Sequence, residues 1–218
     1  LLGIFRKLSM GRKNLKDQRS AEIIAALERC IAKRGLEGTT LEQIAEEAGT
    51  SRRIIRHYLG NREELILTAI NQIEKKHLDS AREVMGDFQA EARLESALNY
   101  LFSEKFNNLP LNNLLAGLLA SAVRGDETIR GAMKRIYDKF QSTIEDELKR
   151  AYPGTKREDR RRVAFTIMTL AFGSGWMMQI GFSKERIKQN KATAFIVIKK
   201  LAEDAGYTLP ELDLSSVH

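Results

Sequence analysis

Residues 39–65 read TTLEQIAEEAGTSRRIIRHYLGNREEL, and this stretch decides the fold of the N-terminal region. Thr40 is followed three residues later by a glutamine, a capping-box pair that predicts the start of a helix. Three positions then have the side chains that two crossing helices require. Ala45 is small where the helices cross, Gly49 lies at the turn, and Ile55 is the apolar residue in the angle between the helices. A helix-turn-helix requires this spacing, because its second helix must project rigidly into the major groove of DNA.

The second helix of this motif carries a strongly cationic face. Ser51 can cap its start, and Arg52, Arg53 and Arg56 follow within five residues. Arginine binds guanine through two hydrogen bonds and also pairs with phosphate. Since the first residues of a recognition helix usually reach the bases, we expect Arg52 and Arg53 to read the DNA sequence.

The residues around these two arginines are predicted to hold the DNA backbone. Arg56, Tyr58 and Arg62 come later and are expected to contact phosphates, which set the register of the protein and not its specificity. Thr40 and the N–H groups beside it form a helix N-terminus, a natural phosphate site. A solvated arginine face, with Tyr58 covering the edge of the core, is the alternative. The predicted DNA-binding residues are Thr40, Ser51, Arg52, Arg53, Arg56, His57, Tyr58 and Arg62.

Positive charge is concentrated in the same region. Residues 1–62 contain 13 Lys or Arg and 7 Asp or Glu, a net charge of +6, whereas residues 63–218 contain 23 and 22, a net charge of +1. A basic end on a near-neutral body predicts a polyanionic partner for that end. Chance asymmetry on a solvated surface is the alternative, which charge by itself does not exclude.

The sequence has few of the features of an enzyme or a metalloprotein. It contains one cysteine, Cys30, and three histidines without metal-ligand spacing, and it has no glycine-rich phosphate loop. We therefore expect no catalytic residues, no metal site and no cofactor. The single cysteine fits a reducing cytoplasm, and we expect it to be a small core residue of the first helix.

Helical periodicity extends over almost the whole chain, and no run alternates convincingly as a strand. The pattern predicts an all-α fold with a three-helix DNA-binding domain at residues 15–62 and a larger helical domain for ligand binding and dimerisation at residues 63–210. In the recognition helix, Ile54, Ile55 and Leu59 are expected to face inward. About nine helices are predicted, near residues 17–33, 40–48, 51–59, 62–85, 91–108, 111–124, 126–151, 157–181 and 185–206.

One segment needs a test against a membrane span. Val163–Phe182 has twenty residues without a charge, which is the usual length of a span. It also contains three glycines, a serine, two threonines and a glutamine, and no second segment of this kind exists. We expect this helix to be buried between neighbouring helices or subunits, without a membrane partner.

The C-terminal region offers candidates for a ligand site and for a dimer contact. Ala171 and Gly175 form a small-residue patch that permits close helix approach, and the last helix carries an apolar stripe of Phe195, Ile198, Leu201 and Ala202. These two helices and their symmetry mates are expected to form a homodimer. The residues predicted to line an apolar ligand cavity are Phe102, Phe106, Tyr137, Met168, Phe172, Trp176 and Gln179; ordinary core is the alternative for most of them.

The stretch from Thr39 to Leu65 resembles the DNA-binding region of TetR-family transcription regulators. The resemblance is good over residues 15–70 and extends to the rest only in its helical layout. Arg53 and Arg56 depart from the usual family residues at their positions, whereas Tyr58 and Arg62 match common phosphate contacts. The resemblance implies a homodimer that binds a palindromic double-stranded DNA operator and that leaves it when a small apolar or amphipathic effector binds the C-terminal domain.

Three functions are compatible with these observations. The first is a ligand-responsive dimeric repressor, and the second is an enzyme, which lacks the expected residues. The third is a DNA-binding regulator or architectural protein whose C-terminal body only dimerises or recruits a partner. A deep apolar cavity in that body favours the first over the third.

Overall fold

The computed structural model describes residues 2–86, 90–107 and 110–208, and within these ranges the chain forms helices joined by turns and loops, with no strand. The all-α fold class is thereby confirmed, with an N-terminal helix-turn-helix and a larger C-terminal helical region. The described helices are α1 (Leu2–Arg34), α2 (Leu41–Glu47), α3 (Arg52–Leu59), α4 (Arg62–Met85), α5 (Ala90–Leu101), α6 (Glu104–Asn107), α7 (Pro110–Val123), α8 (Glu127–Ala151), α9 (Arg157–Gln179) and α10 (Lys184–Asp204).

The helix predicted near residues 91–108 is two helices, α5 and α6. The reason is Ser103, whose hydroxyl donates to the backbone oxygen of Tyr100 at 2.7 Å and accepts from the backbone N–H of Phe106 at 3.1 Å. Serine competes in this way with the backbone hydrogen bonds of a helix, so it ends one helix and caps the next.

The chain folds into two compact units. The first consists of Leu1–Lys75 and Asn113–Ala132, and the second of Lys76–Asn112 and Met133–His218. The boundary between the units therefore falls within the continuous helices α4, α7 and α8. The separate domains expected at residues 15–62 and 63–210 stay a prediction.

The first unit is built around the contact of α1 with α2 and α3. Leu27, Ile44 and Ile55 are almost fully buried, one from each of these helices, and Leu65 from α4 joins them. Cys30 is also buried, as expected for a small core residue, and burial raises the pKa of its thiol. The unit thus holds the helix-turn-helix against a continuous apolar core.

In the second unit, α9 and α10 pack extensively against each other. Ala171, Ile198 and Ala202 are buried within the chain, and Gly175 lies so close to α6 that an added Cβ would be 2.7 Å from Oδ1 of Asn107. The expectation that Ala171 and Gly175 face a second subunit is therefore wrong, because close packing within one protomer already uses them. The same holds for Ile198, Leu201 and Ala202 of the last helix.

Phe165 and Ile196 lie on the exposed sides of α9 and α10, with 55% and 50% of their surface accessible.

Within the described ranges, no helix combines the length and the apolar character needed to cross a membrane.

Candidate nucleic-acid interface

The helix-turn-helix has the local geometry that its sequence predicts. The hydroxyl of Thr40 accepts from the backbone N–H of Gln43 at 3.3 Å, and Oε1 of Gln43 accepts from the backbone N–H of Thr40 at 2.9 Å. This reciprocal capping box begins α2. Gly49 then adopts a φ of 59°, which favours glycine, and so permits the tight turn between α2 and α3.

The start and end of the recognition helix, α3, are both fixed. The hydroxyl of Ser51 accepts from the backbone N–H of Ile54 at 3.3 Å and caps the first turn. Gly60 ends the helix with a φ of 77°. Asn61 and Glu64 then form a second reciprocal pair at the start of α4, with distances of 2.8 and 2.9 Å. The recognition helix is therefore short and rigid, as base readout requires.

The helix α2 is attached to α1 by ion pairs as well as by its apolar face. Arg29 and Lys33 of α1 donate to the carboxylate of Glu47 at 2.6 and 3.0 Å. The hydrogen bonds from Arg29 and then Lys33 lower the pKa of Glu47. Exposed pairs of this kind contribute little stability each, but two cations on one carboxylate limit the sliding of α2 along α1.

The exposed face of α3 is cationic, as predicted. Arg53 and Arg56 are exposed and have no ion-pair partner among the described residues, whereas Arg52 forms an ion pair with Glu42 of α2. Since Arg52 has a carboxylate partner in this structure, DNA contact by Arg52 has to displace Glu42. Arg53 is already available to a base edge or a phosphate.

Ile54 is an exposed residue of α3 that the sequence interpretation placed in the core. It was expected to face inward, yet 41% of its surface is exposed, whereas Ile55 and Leu59 are buried as predicted. An eight-residue helix on a flat core buries only one stripe, and the stripe of Ile55 and Leu59 excludes Ile54. An exposed isoleucine beside Arg53 can contact the methyl group of thymine.

His57 and Tyr58 follow at the end of α3. Their rings make an edge-to-face contact with centroids 5.1 Å apart, and Tyr58 is partly buried whereas His57 is exposed. The hydroxyl of Tyr58 is thus carried on a ring of restricted orientation, which suits a phosphate contact.

Arg62 has partners that the sequence did not reveal. Its Nη2 donates to the backbone oxygen of Leu36 at 2.7 Å, and its Nε donates to that of Thr39 at 3.2 Å. Both acceptors lie in the loop between α1 and α2, so Arg62 fixes the loop that delivers Thr40 to the start of α2. A phosphate contact by Arg62 stays a prediction, and it would compete with these internal bonds.

The residues predicted to line a ligand cavity are only partly brought together. The rings of Phe106 and Tyr137 lie 5.5 and 5.0 Å from that of Phe172, centroid to centroid. Phe102 and Met168 are buried, and the indole nitrogen of Trp176 is also buried. Gln179 is exposed at the last residue of α9 and gives no support for a role inside a cavity.

The helix-turn-helix region matches a known family. Residues 23–69 match the family model of bacterial regulatory proteins of the tetR family, a range that extends from α1 into α4. The chain is 34% identical over 68 residues to the transcriptional regulator PksA of Bacillus subtilis, which covers 31% of this chain and 33% of PksA. It is 34% identical over 92 residues to the regulator TtgR of Pseudomonas putida, covering 42% of this chain and 43% of TtgR.

In both relatives the matched segment spans less than half of their length. The fold is similar over a longer range to the crystal structure of a TetR-family regulator from Rhodococcus, with a TM-score of 0.70 and 25% identity, covering 84% of this chain and 99% of that one. The TetR family consists of transcription regulators and not of enzymes. The helix-turn-helix region of the chain is therefore similar to that of the TetR family of bacterial regulatory proteins, and the fold of most of the chain is similar to that of a TetR-family regulator.

Proposed function

We propose that the chain is a dimeric repressor that binds a palindromic double-stranded DNA operator and leaves it when a small ligand binds the second unit. The observation that carries the DNA-binding part is the recognition helix itself. Ile55 and Leu59 anchor it in the core, both of its ends are capped, and Arg53 and Arg56 are exposed and without ion-pair partners among the described residues. A rigid helix with an available cationic face suits the major groove.

The basic N-terminal region supports the same interpretation. Its net charge of +6 over residues 1–62 provides the sequence-independent attraction to phosphates on which specific DNA binding is built. Thr40 and Ser51 place helix N-termini at two points of the motif, where further phosphates can bind.

The test of DNA recognition is the selection of random double-stranded DNA by the purified protein, followed by sequencing. We expect a palindromic motif with half-sites one helical turn apart, about 34–36 Å from centre to centre. Selection without any enriched motif would favour an architectural DNA-binding protein. A single half-site without symmetry would contradict a dimer.

The dimer is proposed from an exposed surface of the second unit. A groove of about 610 Å³ lies between the first turns of α9 and the last turns of α10, and Ile196 is part of its apolar wall. The groove is lined by charged residues of both signs. They are the cations Lys156, Arg162 and Lys200 and the carboxylates Asp159 and Asp204. A surface that carries both signs of charge around an apolar centre is complementary to a second copy of itself, as a two-fold contact requires.

The release step is proposed from the continuity of α4, which runs from Arg62 to Met85 and contains residues of both units. A ligand that binds more tightly to one arrangement of the dimer must shift operator affinity by its differential affinity for the two arrangements. The test is operator affinity with and without a compound that binds the second unit. If operator affinity stays the same when the compound saturates the second unit, the result would favour a regulator that does not respond to a ligand.

A further inference from the structure

Five buried side-chain polar atoms in the second unit lack a hydrogen-bond partner among the described residues, and four of them belong to uncharged side chains. These four are the side-chain oxygens of Asn107 and Asn112, the hydroxyl of Tyr137 and the indole nitrogen of Trp176. A buried polar group without a partner destabilises the folded state, and native proteins contain few of them. Four within one unit therefore indicate a site that something else completes.

The hydrogen-bonding character of the two asparagines is fixed by their other atoms. Nδ2 of Asn107 donates to the backbone oxygen of Ser103 at 3.0 Å, and Nδ2 of Asn112 donates to that of Phe106 at 2.6 Å. An amide turned the other way would place two oxygens against each other. Both asparagines consequently offer an acceptor, and both side chains are almost fully buried.

The other two groups offer donors. An indole N–H can only donate, so Trp176 requires an acceptor from its partner. Burial raises the pKa of Tyr137 to about 12, so this side chain is a neutral phenol that can donate at any physiological pH.

Asn107, Asn112 and Tyr137 lie around one pair of aromatic rings, and Trp176 follows one of these rings, Phe172, by about one turn of α9. Phe106 and Phe172 are in edge-to-face contact at 5.5 Å, and the ring of Tyr137 lies 5.0 Å from that of Phe172. Asn107 follows Phe106 directly, and Asn112 is bonded to its backbone oxygen. Gly175, next to Trp176, brings the backbone of α9 against Oδ1 of Asn107.

The cluster itself carries no charge. Its members are two amides, a phenol and an indole, and the neighbouring rings are phenylalanines. Glu145 has a fifth buried oxygen without a partner, but it lies eight residues from Tyr137 on α8, roughly 12 Å along the helix axis. Glu147 is paired with Arg93 at 2.7 Å. An ion placed among the four groups would have no counter-charge there.

We infer that Asn107, Asn112, Tyr137 and Trp176 bind the effector, and that the effector is an uncharged, partly aromatic or apolar molecule with both a hydrogen-bond donor and an acceptor. The inference rests on the proposed function, in which a ligand of the second unit controls DNA binding. The donor on the effector pairs with the asparagine oxygens, and the acceptor pairs with Trp176 and Tyr137. The rings of Phe106 and Phe172 pack against its apolar part.

Three probes of the same shape test the charge and the hydrogen-bond pattern. Benzamide is neutral and has a donor and an acceptor, benzoate is an anion with acceptors only, and benzamidinium is a cation with donors only. Trp176 is the only tryptophan of the chain, so its fluorescence reports on the site directly. We expect benzamide to change this fluorescence saturably with a dissociation constant of about a millimolar, which is ordinary for so small a molecule.

The two charged probes are expected to bind at least about tenfold more weakly than benzamide, because a buried charge here stays unpaired. Equal or tighter binding of benzoate or benzamidinium would overturn the inference. So would the absence of a saturable change with benzamide.

A variant separates ligand binding from folding. Tyr137→Phe removes a hydroxyl that has no partner among the described residues, so the free energy of unfolding is expected to stay the same or to rise. Its affinity for benzamide is expected to fall about three- to tenfold. Unchanged affinity would remove Tyr137 from the site.

The matched control is Tyr207→Phe. Its hydroxyl accepts from the backbone N–H of Gly154 at 3.0 Å, so this variant is expected to lose stability and to keep its affinity for benzamide.

The fluorescence titrations are made without DNA, and operator binding is measured separately. Selective benzamide binding without an effect on DNA would contradict the proposed release and leave the ligand class standing. Operator release by a charged compound that competes with benzamide would contradict the ligand class and leave the proposed function standing.

Discussion

The guanidinium of Arg62 donates a 2.7 Å hydrogen bond to the backbone oxygen of Leu36. Leu36 is buried in the first unit, where an added Cβ on Gly117 of α7 would lie only 3.2 Å from its Cβ. The same guanidinium holds the oxygen of Thr39, directly before the capping threonine of α2. One side chain from α4 thus fixes both ends of the loop that positions the helix-turn-helix.

This arrangement gives Arg62 two possible roles, to position the loop and to contact a DNA phosphate. The variant Arg62→Lys distinguishes between them. Lysine keeps the charge for a phosphate but cannot reach two carbonyl oxygens in the fixed geometry of a guanidinium. If loop positioning is the main task, Arg62→Lys and Arg62→Ala both lower the free energy of unfolding by about 1–2 kcal/mol and weaken operator binding. Chemical denaturation and DNA titration measure the two effects.

The salt dependence of DNA binding provides the control. A lost phosphate contact reduces the slope of log affinity against log salt by about one unit. Two results together would show that Arg62 acts on phosphate and not on the loop. Arg62→Ala would have the reduced slope, and Arg62→Lys would keep wild-type stability and operator affinity.

The second prediction concerns base readout by α3. Arg53 is exposed and Ile54 lies beside it, so Arg53→Ala and Ile54→Ala are expected to lower affinity for the selected operator and to affect random DNA much less. A lost bidentate contact to guanine costs about 1–3 kcal/mol. Competition titrations with operator and random DNA give the ratio of the two affinities. An equal loss of affinity for both DNAs would show that these side chains contact the DNA backbone and not the bases.

The second prediction extends to Arg52 through its partner Glu42. Because Glu42 pairs with Arg52 in this structure, Glu42→Gln releases the arginine and removes a negative charge from the motif. We expect Glu42→Gln to bind random DNA more tightly, and Glu42→Gln combined with Arg52→Ala to lose that gain. Glu46→Gln, an exposed glutamate of the same helix, removes the same charge without touching Arg52 and is the matched control.

The sequence predicted those parts of this interface that depend on residues close to one another in the chain. The caps of α2 and α3 and the turn at Gly49 depend on residues within a few positions of one another, so spacing predicts them. The bonds of Arg62 join residues 23 and 26 positions apart, and the exposure of Ile54 depends on the shape of the core beneath α3. Neither has a signal in the local pattern.

The C-terminal region shows the same limit. Apolar periodicity predicted its long helices, yet the small residues Ala171 and Gly175 fit an interface within the chain as well as one between chains. Only the packing shows that α9 turns them inward and leaves Phe165 outside. The buried amides Asn107 and Asn112 had no sequence signal, because an asparagine near a helix boundary is also an ordinary cap.

The third prediction compares two helical glycines. A Cβ on Gly117 would lie 3.2 Å from Cβ of the buried Leu36, whereas a Cβ on Gly173 would meet nothing within 4 Å. Gly173→Ala is therefore expected to stabilise the protein by about 0.5–1 kcal/mol, the usual gain from alanine in a helix. In Gly117→Ala the crowding of Leu36 is expected to cancel or exceed that gain. Urea midpoints measure the difference, and equal stabilisation of the two variants would contradict tight packing at Leu36.

The fourth prediction follows from the phenol of Tyr137, whose pKa burial raises to about 12. An unfolded tyrosine loses its proton near pH 10, so the folded state binds more protons between about pH 10 and pH 12. The stability from this group is complete below about pH 10 and is lost as pH rises toward 12. The free energy of unfolding should then fall more steeply in the wild type than in Tyr137→Phe over this range. Parallel curves from denaturant titrations would contradict the burial of the hydroxyl.

The last prediction concerns the proposed dimer. Phe165 of α9 and Ile196 of α10 are half-exposed, and Ile196 forms part of the groove between these helices. If a second copy covers this surface, Phe165→Glu and Ile196→Glu each place a charge in an apolar contact and repel the identical glutamate across the two-fold axis. We expect monomers in sedimentation at micromolar concentration, with operator affinity reduced because one protomer reaches one half-site.

The matched control is Val123→Glu at the end of α7, where the side chain is 74% exposed and lies in the first unit. This variant has the same change of charge and should remain dimeric. Circular dichroism checks that all three variants stay helical, so that a monomer is not mistaken for an unfolded chain. A wild-type protein that sediments as a monomer would refute the dimer. Dimeric Phe165→Glu and Ile196→Glu would place the interface on another surface, because two buried glutamates facing their own copies cannot coexist with a stable apolar contact.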